Sequence, residues 1–186
     1  MLILLNIWYN VLSLGWQEKM LNIKKDESYF SIIDDIIYDK EFNKLNEIEH
    51  HGISRYKHSV RVSYYSYKIC KLLKLDYVDA ARAGLLHDFY ISKENRTFKE
   101  KFTETFTHPK KAVEHALEVY GINGREEDII KSHMFPFTTS IPKYAESWIV
   151  VLVDKTIGSL EFYKKFENQI AYAANLFMLF IINSIK

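Results

Sequence analysis

The chain is expected to fold as an all-α helical bundle, and three observations carry that expectation. Glycine and proline are scarce, 6 and 3 among 186 residues. Apolar residues recur at three- and four-residue spacing along most of the chain. The turn-forming and capping residues stand where those periodic stretches begin and end. Strand signals are weak: Trp148 to Val153 is β-prone in composition, but its flanks continue a helical pattern.

Taken in order, Asp26 can cap a helix carrying Phe30, Ile33, Ile36 and Ile37. A second helix runs from about Arg55 to Leu75, with Val62, Tyr65, Ile69, Leu72 and Leu73 on its apolar stripe. Asp76 suits the N-cap of a third, whose Ala80, Ala81, Ala83 and Gly84 permit close packing before Leu85-Leu86-His87-Asp88. Ser92 to Thr107 is polar and reads as a loop, with room for one short helix. Pro109 suits a first helical position and Gly121 the stop after Val113, Ala116, Leu117 and Tyr120. A short helix then spans about Arg125 to Met134, ended by Pro136. A long one opens at Pro142 and passes Asp154 to about Phe166.

The length suits one domain with a real core. The expected division is an N-terminal helical extension over residues 1–49 packed on a domain of residues 50–168, followed by a hydrophobic helix over 169–186. A net charge of +1 provides no overall attraction to nucleic acid or acidic lipid, so no stable nucleic-acid partner is expected. The single cysteine, Cys70, cannot form an internal disulfide and fits a reducing, cytoplasmic setting. Met1–Trp16 and Ile170–Ile185 are apolar, but each is shorter than the roughly 20 residues of a spanning helix, and they are poor in the Lys and Arg of interfacial helices. They are expected to pack on the domain, on each other or in a homo-oligomer rather than in a membrane.

Four of the seven histidines fall at element ends or beside turn signals: His58, His87, His108 and His133. Asp88 directly follows His87. Asp154 interrupts the apolar run Trp148–Val153, with Val150, Val151 and Ile157 on its own face. A carboxylate placed there needs a partner for its charge, and a metal ion is one. Imidazole with carboxylate suits Fe, Mn, Zn, Co or Ni, and the lack of thiolates argues against a structural zinc site. Any one of these residues alone reads more simply as a hydrogen-bonded core or boundary residue. Their order and surroundings change that reading.

The order H…HD…H…H…D is embedded as Arg55-Tyr-Lys-His58, Ala83-Gly-Leu-Leu-His87-Asp88, Thr107-His108-Pro, Lys131-Ser-His133 and Leu152-Val-Asp154-Lys. It resembles the HD superfamily of metal-dependent phosphohydrolases, over roughly His50 to Phe166. The resemblance implies an HD-domain bundle in which His58, His87, Asp88 and Asp154 hold one metal. His108 and His133 occupy the places of the two-metal branch, with Asp88 bridging. It further implies two divalent transition-metal ions, Fe or Mn ahead of Ni, Co or Zn, and hydrolysis by a hydroxide held between them.

The expected substrate is a small phosphate ester, most specifically a nucleotide: a dinucleoside polyphosphate, as for the diadenosine tetraphosphate hydrolases of the superfamily, or a nucleoside monophosphate. Lys93, five residues past Asp88, and Arg55 are the first candidates for phosphate contact, ahead of Arg61 and Lys155. The lack of a Gly-Tyr-Pro element argues against cyclic-di-GMP phosphodiesterase activity. Two other readings stay open: a di-iron oxygenase of the same fold, and a non-catalytic metal-binding regulatory module. His115 shares a face with His108 but stands about 10.5 Å along the axis, too far for the same metals. His50 and His51 are candidates for supporting hydrogen bonds.

Overall fold

The computed structural model describes residues 23, 25–50, 53–91 and 97–184, and only the backbone at 49, 50, 101, 168 and 171–184. The expectations for Met1–Trp16, Lys93 and His51, and for the side chains of His50 and the apolar C-terminal stretch, lie outside these described residues.

The bundle consists of α1 (Glu27–Ile37), a short α2 (Lys40–Asn43) continued by a 3-10 turn (Lys44–Glu47), α3 (Arg55–Leu72), α4 (Tyr77–Leu86), α5 (Phe98–Tyr120), α6 (Gly124–Ser132) and α7 (Ala145–Ser184). One two-residue ladder, β1 (Glu49–His50) with antiparallel β2 (Ile53–Ser54), precedes α3 and pairs Glu49 with Ser54 and His50 with Ile53. The all-α expectation holds.

Capping chemistry sets most of the starts. Asp26 accepts from the Tyr29 amide at α1, and Asp76 from the Asp79 amide at α4. At α6, Asn123 and Glu126 cap each other's amides in a reciprocal box. Gly121 stops α5 in the left-handed conformation, φ 62°, which costs a glycine nothing.

The centre is α3, packed chiefly against α4 and α7, with α6 closing the other side of α4. Gly84 is what lets α4 approach: a Cβ there would lie 3.0 Å from the Ser63 Cα of α3. Ser63 Oγ ties the same crossing by donating to the Ala81 carbonyl at 2.6 Å, and it accepts from Tyr29 Oη of α1 at 2.8 Å. The core draws on every helix from α1 to α7, with Ile33, Ile36, Phe42, Val62, Leu85, Leu86, Phe89, Ala112, Ala116, Ile129, Ile130, Val150 and Val153 among its members.

Three expectations are corrected. The apolar stripe of α3 does not run to Leu72 and Leu73, which are 42% and 46% exposed. This helix is enclosed on nearly every side over its first four turns, so Ser59, Ser63 and Ser66 are buried as well and a one-face stripe does not describe it. Pro109 does not start a helix. The segment from Phe98 onward, read as loop up to Thr107, is already helical, started by a Thr97–Glu100 capping box. Pro109 then sits inside α5, where it removes one rung of the ladder. Finally, α7 does not end near Phe166 but continues unbroken to Ser184.

Candidate metal centre

Five elements bring the histidines and aspartates together. His58 lies in the first turn of α3, and His87 and Asp88 follow the last residue of α4. His108 lies in mid-α5, His133 follows the last residue of α6, and Asp154 lies in α7. All six are buried, none more than 8% exposed. Two groups have ligand atoms close enough to share an ion: His58, His87 and Asp88, and Asp88, His108 and His133. Asp88 belongs to both. Asp154 adds its Oδ1 3.0 Å from His58 Nε2 and 3.6 Å from His87 Nε2. All six residues singled out in the sequence therefore converge on one buried point.

The orientation of each ring follows from what its Nδ1 meets. His87 Nδ1 donates to the Gly84 carbonyl at 2.9 Å, His108 Nδ1 to the Glu104 carbonyl at 3.0 Å, and His133 Nδ1 to the Ile130 carbonyl at 2.6 Å. A carbonyl only accepts, so each Nδ1 carries the hydrogen and each Nε2 offers a lone pair inward. His58 is held otherwise: its Nδ1 donates to Glu161 Oε2 at 2.8 Å, and Arg61 donates to the other oxygen, Oε1, at 2.8 Å.

This arrangement fits a cation. His87 Nε2 is buried with no hydrogen-bond partner. His108 Nε2 and His133 Nε2 face each other at 2.9 Å, which sets two lone pairs against one another. Two imidazoles bound side by side to one ion, with metal–nitrogen bonds of about 2.1 Å, stand about 3 Å apart. Asp88 Oδ1 lies 3.3 Å from His108 Nε2 and 3.7 Å from His133 Nε2, and Asp88 Oδ2 lies 3.8 Å from His87 Nε2. The donors are imidazole and carboxylate throughout; Cys70, the one thiol, is buried elsewhere in the core and belongs to neither group.

The electrostatics divide the site in two. Burial lowers the pKa of His133 to about 3, helped by His87 and His108 and opposed by Asp88. His108 is lowered in the same way. Burial would lower His58 too, but its bonds to Asp154 and Glu161 overcome this and raise it to about 10. The Asp154 carboxyl is raised by burial, yet His58, His87 and Lys155 hold it well below the usual carboxylate range.

The basic candidates are placed as follows. Arg55 is 2% exposed, with Nη1 donating to the Tyr90 carbonyl at 2.6 Å, Nη2 to the Tyr90 hydroxyl at 3.0 Å, and the guanidinium 4.0 Å from the Tyr90 ring centroid. Tyr90 in turn stacks on His108 at 5.3 Å. Lys155 donates to Asp154 Oδ2 at 2.8 Å and to the His133 carbonyl at 3.1 Å, tying the two halves of the site together. Arg61 serves Glu161. Lys93 lies outside the described residues.

Sequence reasoning missed Glu161, although it stands seven residues after Asp154 on the same face of α7, a spacing that marks it out. His115, expected to stand too far from His108 to share its metals, belongs to neither donor group; its ring stacks parallel on Phe89, the residue after Asp88, with 4.2 Å between centroids and 5° between planes. On α5, the helix that carries His108, the residues Lys99, Glu100, Thr103, Glu104, Thr107 and Lys111 line a cavity of about 450 Å³ together with Ile91.

A helical bundle that buries paired imidazoles and carboxylates around one shared aspartate belongs to the metal-binding proteins as a class. The family comparison narrows this: the HD domain matches residues 55–159, more than half of the chain, and the protein belongs to that family, a metal-dependent hydrolase-type superfamily. No curated protein and no solved structure matches the chain. Among the described residues no helix is long and apolar enough to cross a membrane.

Proposed function

We propose that the protein is a phosphohydrolase that cleaves a nucleotide or other small phosphate ester at a site holding two divalent transition-metal ions, Fe or Mn ahead of Ni, Co or Zn. The observation that carries this reading is the position of Asp88 between two donor groups. His58, His87, Asp88 and Asp154 would hold one ion, and Asp88, His108 and His133 the other. Divalent ions there supply Lewis acidity, which eases deprotonation of water and draws charge from a phosphoryl oxygen.

The remaining work falls to the chain. His108 and His133 present Nε2 lone pairs without needing to lose a proton, because burial keeps them neutral, and a main-chain carbonyl likewise orients the ring of His87. Arg55 places a fixed positive charge beside Tyr90 and His108, suited to the extra charge of a phosphoryl group, and by holding Tyr90 it also fixes the ring that stacks on His108. Lys93, in the segment after Asp88, is the second candidate for phosphate contact. The cavity on α5, the helix that carries His108, has room for the part of the substrate that is not cleaved, and the Lys99 ammonium suits an oxygen of a nucleotide, whereas Lys111 is paired with Glu104 and the Thr103 and Thr107 hydroxyls donate to main-chain carbonyls.

The test is metal analysis with a substrate screen. Protein purified without chelator and reconstituted anaerobically with Mn(II) or Fe(II) is expected to hold close to two ions and to release phosphate or nucleoside phosphate from at least one nucleotide. A stoichiometry that stays at or below one ion per chain ends the two-ion reading. Oxygen consumption without phosphate release would replace hydrolysis by oxygenation, and absence of both would leave a binding module.

A further inference from the structure

The four histidines are not held alike. His87, His108 and His133 aim Nε2 through a bond from Nδ1 to a main-chain carbonyl. His58 alone rests on a carboxylate, that of Glu161, which is 3% exposed and shared with Arg61. A carboxylate behind a ligating imidazole fixes its rotation and makes its other nitrogen a stronger donor than a neutral carbonyl does. The His58 group also faces Asp154 Oδ1 in addition to Asp88, whereas the group of His108 and His133 has Asp88 as its carboxylate.

From this asymmetry we infer that Glu161, poised by Arg61, makes the His58 subsite the tight one, filled first, and leaves the His108–His133 subsite the exchangeable one. Glu161 is a positioning residue: it acts on the ion through His58. Arg61 holds the carboxylate in place and at the same time draws part of its charge away from His58. The order of filling rests on the two-ion reading above; the role of Glu161 needs only that His58 bind metal.

The experiment is a calorimetric titration of the metal-free full-length protein with Mn(II), using a competing chelator to reach the tight class. Two classes are expected. Glu161→Gln keeps an oxygen facing His58 Nδ1 but removes the charge, and it should weaken the tight class by about 10–100-fold. His133→Ala should remove the weak class alone. Arg61→Gln, which keeps a donor to Glu161, should leave the tight class as tight or tighter. A contact that served packing only would instead loosen both variants alike. Circular dichroism checks the fold; should Glu161→Gln not fold, a tight class weakened in Arg61→Gln overturns the inference, and one as tight or tighter supports it. A single class of one ion overturns the order of filling together with the two-ion reading. Two classes, with the tight one unchanged in Glu161→Gln or weakened in Arg61→Gln, overturn the present inference alone.

Discussion

The two sides of the metal centre are built by different means. Around His108 and His133 the rings are oriented by carbonyls of their own helices, one turn back, so the local helix decides where Nε2 points. Around His58 the ring is clamped between the side chains of Asp154 and Glu161, from a helix about a hundred residues further along the chain, and Arg61 and Lys155 neutralise the two carboxylates. The first arrangement is insensitive to the identity of neighbouring side chains and keeps its imidazoles neutral. The second concentrates charge in a buried chain of alternating sign and can be tuned by single substitutions. On the two-ion reading proposed above, one centre would hold ions of one kind with two different strengths.

The largest effect is expected where both sides meet. Asp88→Ala should lose nearly all bound metal and lower phosphate-ester hydrolysis by on the order of 10³-fold, read by metal analysis and initial rates. A variant that keeps both ions would show that Asp88 is not shared. His108→Ala and His133→Ala should cost one ion and about 10²-fold in rate, with the melting temperature of the metal-free protein little changed, because the substitution also relieves the facing lone pairs. Wild-type activity in both variants would remove these residues from the ligand set.

Gly84→Ala tests the scaffold under the His87–Asp88 pair. Its Cβ meets main-chain atoms of Ser63, which cannot rotate away, so the crossing must open. A cost of about 1–3 kcal/mol is expected, read as a melting temperature lower by several degrees, with reduced metal affinity because His87 is tied to the Gly84 carbonyl.

The two sides should also fail at opposite ends of the pH scale in chelator-treated protein. His133 and His108 are lowered, so an unfolded chain takes up protons near 6.5 that the folded chain refuses, down to about 3 at His133. Their contribution is complete above 6.5 and fades as the pH falls. Asp154 adds to this only below its ordinary value of 3.8. His58 is raised, so its contribution is complete below 6.5 and fades as the pH climbs through about 10. The melting temperature should therefore drop both on acidification to pH 4.5 and on passing to pH 9.5. An alkaline midpoint equal to that at pH 7 would show that His58 does not carry a proton between its two carboxylates.

The smallest effect concerns His115. Its ring backs Phe89, next to Asp88, and is not a ligand; His115→Phe should keep the stack and change little, while His115→Ala should lower activity by only a few-fold. A complete loss in His115→Ala would mean that the stack, rather than the α4 end, sets the position of Asp88.

Much of this was legible in the chain. Asp26, Asp76 and Gly121 announced helix boundaries because capping is local chemistry, decided within four residues. Asp154 announced itself as a charge in an apolar run. The Thr97–Glu100 box was equally local, but Pro109 drew the start of α5 away from it, since a proline is tolerated at a first helical position and here stands eleven residues inside. The stripe on α3 failed for another reason: periodicity reports one buried face, and a helix enclosed by α4 and α7 has no single face to report.

By itself the sequence determined the helical class and the caps at Asp26, Asp76 and Gly121, because periodicity and cap chemistry are properties of neighbours along the chain, while the six residues of the candidate centre were named by the resemblance that their order carries. Only the tertiary structure decided that Glu161 rather than a carbonyl backs His58, that Arg55 bonds to Tyr90, and that His115 lies on Phe89. Each of these depends on how helices far apart in sequence cross, which is settled by packing such as the Gly84–Ser63 approach and leaves no periodic trace in the residues themselves.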